Sequence, residues 1–144
     1  PNMAGYFTKL MGHVYTGEYA ANETLENGVF VELNAEKVRK TTAAKDTIMR
    51  VVEVTTPWGM PALRLDVVSV GDDEVWFVEN EWDINDSMPY DTAKYSVPAG
   101  TLVRMKRALP GEQLIMSVED TLSTTLEAGD TVQPTTGGTV AATI

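Results

Sequence analysis

Few side chains in this sequence are of the types that carry out catalysis, and their spacing assembles no reaction centre. His13 is the single histidine and cysteine is absent, so neither a two-histidine nor a thiolate metal site can form. No Ser-His-Asp arrangement is signalled near His13. We therefore expect no enzyme activity, no catalytic residues, no metal site and no cofactor.

Oxygen ligands for a cation are concentrated in the acidic loop that contains Asp83, Asn85 and Asp86. An EF-hand loop that began at Asp83 would need a glycine at its sixth position and an acid at its twelfth. The sequence has Met88 and Lys94 there, which excludes an EF-hand. Two interpretations of residues 83–91 stay open: a solvated acidic loop, or an irregular site for a cation or a glycan.

Positive charge is concentrated in one short cluster, formed by Arg104, Lys106 and Arg107. The formal net charge of the chain is -10, and such a surface repels the phosphates of nucleic acids. We therefore expect no nucleic-acid binding. The cluster is expected to pair with the acidic loop of the chain itself or with acidic groups on a partner.

Aromatic side chains are the other candidates for partner contact. Trp58 lies in the loop sequence TPWGMP and could line a sugar or peptide groove, whereas Trp76 lies within a predicted strand and is expected in the core. The first 23 residues are rich in aromatic side chains without a clear period. They predict an arm with a short helix near Tyr6–Met11 and an extended piece near His13–Tyr19. This arm packs either on its own domain or on a neighbour.

Strand patterns repeat from Gly28 onward, separated by turn signals such as Asn27-Gly28 and Pro110-Gly111. The predicted strands are residues 28–34, 47–54, 62–70, 74–82, 101–109, 112–119, 130–133 and 139–144. Beyond the N-terminal arm, the best helix candidates are weak and lie at residues 40–46 and 118–126. Gly137-Gly138 lacks the following Lys-Ser/Thr of a phosphate-binding loop and predicts a hairpin turn.

Short strands without interleaved long helices favour an all-β, β-dominated fold. We predict a single-domain small sandwich or barrel, with an extended N-terminal arm (1–23), a β-rich domain (24–144) and long loops, of which residues 83–100 form the longest. Since no apolar run approaches the roughly 20 residues that span a bilayer, we expect no membrane insertion.

The order of these elements resembles the small capsid cement, or decoration, proteins of tailed bacteriophages, whose chains are short, cysteine-free and rich in β-structure. Their element of a leucine, one residue, Asn-Gly and an apolar strand corresponds to residues 25–31 here. An acid followed by an apolar strand corresponds to residues 46–52. A Gly-Asp turn before a second glycine-rich turn corresponds to residues 129–132 with Gly137-Gly138. The resemblance covers about residues 12–54 and 100–142.

This resemblance implies a virion structural protein that binds the major capsid protein lattice and stabilises the expanded head, as a homo-oligomer in contact with copies of itself. Synthesis in the host cytoplasm is expected, because no signal-peptide pattern opens the chain. The alternatives are another virion component (a tail, connector or fibre-associated β-domain) and a carbohydrate-binding module. The residues expected to contact partners are Tyr6, Phe7, Met11, His13, Tyr15, Tyr19, Trp58, Arg104, Lys106 and Arg107.

Overall fold

The computed structural model describes residues 5–12, 15–56, 59–79 and 96–143, and most of their regular secondary structure is strand. In chain order the strands are β1 (Gly5–Lys9), β2 (Tyr15–Thr16), β3 (Ala20–Ala21), β4 (Leu25–Glu26), β5 (Phe30–Asn34), β6 (Lys37–Lys40), β7 (Ile48–Thr55), β8 (Ala62–Ser69), β9 (Trp76–Val78), β10 (Ser96–Val97), β11 (Met105–Arg107), β12 (Gln113–Ser117), β13 (Thr131–Pro134) and β14 (Val140–Ala142). One helix, α1 (Asp120–Thr125), lies between β12 and β13, and a tight 3₁₀ turn (Thr136–Gly138) joins β13 to β14.

Two open six-stranded sheets pack face to face. The first sheet has the order β1-β12-β8-β7-β13-β14, and the second has the order β2-β11-β9-β5-β6-β3. Neighbouring strands run antiparallel, apart from the parallel pair β3 and β6. Strands β4 and β10 form a separate two-stranded sheet. The expected all-β class is therefore confirmed, and of the two architectures considered the chain adopts the sandwich.

Apolar side chains fill two layers because the second sheet is covered on both faces. Between the sheets, Phe7 and Leu65 of the first sheet meet Phe30 and Phe77 of the second, with edge-to-face ring contacts at centroid distances of 5.4 and 5.0 Å. These geometries are the ones that aromatic rings prefer. On the far face of the second sheet lies another cluster, which includes Trp76. The prediction that Trp76 belongs to the core is confirmed.

Strands β7 and β8 carry the longest ladder, and two irregularities in it turn apolar side chains outward. Met49 and Val51 point into the core as the alternation predicts. The register then shifts after Val51 and again next to Ile48. The extra residues at these β-bulges, Val52 and Val68, are 38% and 41% exposed. A bulge displaces one residue from the alternation of a strand, which accounts for the exposure of both valines.

The N-terminal segment is built into the sandwich. Residues Gly5–Lys9 form edge strand β1, paired antiparallel with β12, so the helix expected near Tyr6–Met11 is wrong. Gly5 permits the close approach: a Cβ there would lie 2.6 Å from the Cα of Gly28. Strand β2 then joins the second sheet. Of the two alternatives for the packing of this segment, its described part packs on its own chain.

The two helix candidates have different outcomes. Helix α1 lies within the predicted range 118–126, and it has six residues, far fewer than a membrane-spanning helix needs. The candidate at residues 40–46 is wrong, because most of this stretch is a loop that hydrogen bonds attach to other parts of the chain. The hydroxyl of Thr41 donates to the carbonyl of Thr135 at 2.6 Å, and its N–H donates to the carbonyl of Phe30. Most of the long loop predicted at 83–100 lies outside the described residues.

Candidate partner-binding surface

The basic cluster predicted at residues 104–107 contains a lysine that the fold turns inward. Lys106 pairs with Phe77 across β11 and β9, so its side chain enters the layer between the sheets. Its Nζ lies 2.5 and 2.6 Å from the two carboxylate oxygens of Glu112, and 4.4 Å from the centre of the Phe7 ring. Both charged side chains have zero exposure. Burial without a partner is costly for a charge, so each of these groups requires the other.

The Glu112 carboxylate also fixes two backbone segments at one corner of the sandwich. Its Oε2 accepts the N–H of Met11 at 2.9 Å, and its Oε1 accepts the N–H of Leu109 at 2.7 Å. The turn between β11 and β12 is closed by the N–H of Glu112, which donates to the carbonyl of Leu109, and the N–H of Gly111 attaches this turn to β8 by donating to the carbonyl of Val67. The chain after β1 and the turn before β12 are therefore held in one arrangement by a single carboxylate.

Apolar side chains are exposed at this corner. Leu10 is 39% exposed and Met11 is 60% exposed. Their neighbours in the turn are half-buried Leu109 and exposed Pro110. The two segments touch, because a Cβ on Gly111 would lie 3.4 Å from the Met11 side chain. We call Leu10, Met11, Leu109 and Pro110 the apolar corner; the sequence analysis identified only Met11 among them.

A second cluster of titratable side chains consists of Tyr15 on β2, Glu79 directly after β9 and Arg104 directly before β11. Burial raises the pKa of the Glu79 carboxyl above its usual 4.5, although the Arg104 charge and the N–H of Phe7 lower it. Arg104 donates to the backbone carbonyl of Glu79 at 2.7 Å, and its guanidinium lies 4.4 Å from the centre of the Tyr15 ring. Burial, followed by the Glu79 charge, raises the pKa of the Tyr15 hydroxyl. Arg104 therefore pairs within the chain.

Two residues expected at a partner surface are instead part of the interior. Lys106 is fully buried, and Phe7 is 8% exposed and packs in the layer between the sheets. The expectation that their side chains contact a partner is corrected on this ground. The physical reason is that β1 belongs to the first sheet and β11 to the second, and the two sheets pack face to face. Alternate side chains of both strands therefore point into the layer between the sheets.

The remaining predicted contact residues are distributed over several elements. Tyr6 is half-buried on β1, Tyr19 is half-buried against the far cluster, and Arg107 is half-buried at the end of β11. His13 and Trp58 lie outside the described residues. The structure thus brings Tyr15 and Arg104 together and places Met11 at the apolar corner. Lys106 pairs with Tyr15 across β11 and β2 and lies over the Phe7 ring, so these two interior residues are close to Tyr15 and Arg104.

A shallow groove of about 350 Å³ runs between α1 and β14. Threonines dominate its walls, with Leu122 and Val140 between them. Thr125 directs its hydroxyl to carbonyls inside α1, at 3.0 and 3.2 Å. No residue predicted to contact a partner lines this groove. Its surface consists mainly of hydroxyl and methyl groups, and titratable side chains are not concentrated there.

Within the described part of the chain, no three His, Asp or Glu side chains are grouped as a metal site would require. Comparison with known proteins found no matching family model, no matching curated protein and no matching solved structure.

Proposed function

We propose that this chain is a structural protein of a tailed-bacteriophage virion, which binds the outer surface of the capsid and stabilises the expanded head. The major capsid protein is its partner, and many copies bind each particle. Such a role requires a rigid body with exposed contact groups, since binding to the expanded lattice alone stabilises that lattice by mass action.

The observation that carries the proposal is how this sandwich uses its buried charges. Among the described residues, the buried ionisable side chains are Glu32, Lys106 and Glu112, and each forms an ion pair within the chain. Exposed large apolar side chains, by contrast, include Leu10 and Met11, at 39% and 60% exposure. The buried charges stabilise the fold, and large apolar side chains lie on the surface. This arrangement suits a protein whose function is contact with other subunits.

Quantitative mass spectrometry of purified virions tests the proposal. We expect the chain at a copy number comparable to that of the major capsid protein. Particles that lack the chain should release their DNA at a lower temperature than complete particles. Absence from purified particles would overturn the proposal. A low, ring-like copy number would instead assign the chain to the tail or connector.

A further inference from the structure

We propose that the apolar corner is the anchor by which this chain docks, and that it fills an apolar pocket with an acidic rim on the capsid subunit. This inference rests on the proposed function and adds the part of the surface that makes the contact. Protein interfaces are enriched in methionine, and a few clustered residues supply most of their binding energy. Met11 and the preceding Leu10 are both exposed, and the two segments of the corner meet where Gly111 approaches Met11 and Gly12 approaches Leu109.

The apolar corner is preorganised for binding. The backbone N–H groups of Met11 and Leu109 both donate to the carboxylate of Glu112, at 2.9 and 2.7 Å. Lys106 holds that carboxylate from inside the sandwich. Because the backbone is already ordered in the free protein, docking loses less conformational entropy than it would with a flexible loop.

Charge distinguishes between possible occupants of this surface. Lys9 directly precedes Leu10 and is exposed, and Arg107 precedes Leu109 by two residues, in a chain whose net charge is -10. The carboxylate closest to this backbone, Glu112, is buried and neutralised by Lys106. A pocket with carboxylates at its rim complements this arrangement. A two-fold contact through this corner would place two copies of the same positively charged surface against each other, so we assign the capsid subunit as the occupant.

Binding of the purified full chain to expanded shells that lack it provides the test. The variant Met11→Ser should bind at least about tenfold more weakly than the unaltered chain. Leu102→Ser is the matched control, because Leu102 has nearly the same exposure and lies away from the corner. It should bind as the unaltered chain does. Both substitutions change exposed side chains, and equal thermal unfolding temperatures will show that both variants are folded.

The possible outcomes separate this inference from the proposed function. If the unaltered chain binds and Met11→Ser binds equally well, the anchor is wrong while the capsid role stands. If the unaltered chain does not bind shells at all, the capsid role itself fails. Concentration-dependent dimerisation that Met11→Ser abolishes, without an effect on shell binding, would assign the corner to contacts between copies and overturn the assignment made here.

Discussion

Lys106 and Glu112 form a fully buried ion pair that connects parts of the chain far apart in sequence. The Nζ of Lys106 lies 2.5 Å from Oε1 of Glu112, and it also donates to the carbonyl of Arg107 at 3.0 Å. The same carboxylate binds the N–H of Met11, a residue 101 positions away. The pair therefore attaches the N-terminal strand to the β11–β12 turn, and its loss affects both.

Removal of the cation should destabilise the protein strongly. In Lys106→Met, the Glu112 carboxylate stays between the sheets without its counter-charge. We expect the free energy of unfolding to fall by about 3–5 kcal/mol, the range found when one partner of a buried pair is removed. Chemical denaturation of both proteins, monitored by tryptophan fluorescence, measures the difference.

A double substitution is the control for this interpretation. Lys106→Met combined with Glu112→Leu removes both charges, so it should be less destabilised than the sum of the two single variants. Arg64→Met provides a comparison outside the core, since its ion pair with Glu53 is half-exposed. That variant should change the free energy of unfolding by about 1 kcal/mol or less. Strict additivity of the two core substitutions would contradict the proposed coupling.

Glu79 should make the protein less stable as the pH rises. Burial raises the pKa of its carboxyl above 4.5 despite the nearby Arg104, Lys106 and Tyr15. Between 4.5 and the folded-state pKa, the native protein therefore binds more protons than the unfolded chain, and its stability decreases with pH. Glu79→Gln removes this titration. Unfolding temperatures from pH 4 upward should show the variant gaining stability relative to the unaltered protein, and a constant difference would refute the assignment.

Glu32 should have the opposite effect. Burial alone would raise the pKa of its carboxyl, but hydrogen bonds from Lys45 and Arg39 outweigh burial and hold the pKa below its usual 4.5. The stabilisation is therefore complete above pH 4.5 and is lost as the pH falls through the folded-state pKa. At neutral pH, Glu32→Gln should cost about 1 kcal/mol, and the difference should shrink in acid. Glu53→Gln, in a half-exposed pair, should cost less.

The sequence predicted the elements whose signals are local. Alternating side chains in β8 and the turn signals at Asn27-Gly28 and Pro110-Gly111 correspond to observed strands and turns. The N-terminal segment was misjudged because tertiary packing determines its structure. Phe7 becomes a core residue only when β12 and Phe77 are in place, and no local period indicates this.

The candidate surface was less predictable than the fold. Met11 was identified from its exposed aromatic neighbourhood, whereas Leu10, Leu109 and Pro110 join it only after residues far apart in sequence meet. Lys106 was assigned to the surface because it belongs to a basic cluster with Arg104 and Arg107, and lysine is mostly exposed in proteins. No local signal could have corrected this, because the burial of Lys106 depends on the second sheet and on Glu112.

The hairpin between β5 and β6 was missed because its turn lacks the usual residues. Asn34 pairs with Lys37, and the two residues between them, Ala35 and Glu36, have φ values of 51° and 66°. A two-residue turn with both φ values positive favours Asn-Gly. Any other non-glycine residue is strained in this left-handed region, by about 1–2 kcal/mol.

Ala35→Asn combined with Glu36→Gly should therefore stabilise the protein, by about 1 kcal/mol after allowance for the greater freedom of glycine in the unfolded chain. Denaturant titration measures the gain, which should appear as a higher midpoint with an unchanged slope. The matched control is Ala43→Asn with Ala44→Gly, in an exposed loop where neither residue has a positive φ. This control should bring no gain. If both pairs of substitutions had the same effect, the turn geometry would not be the cause.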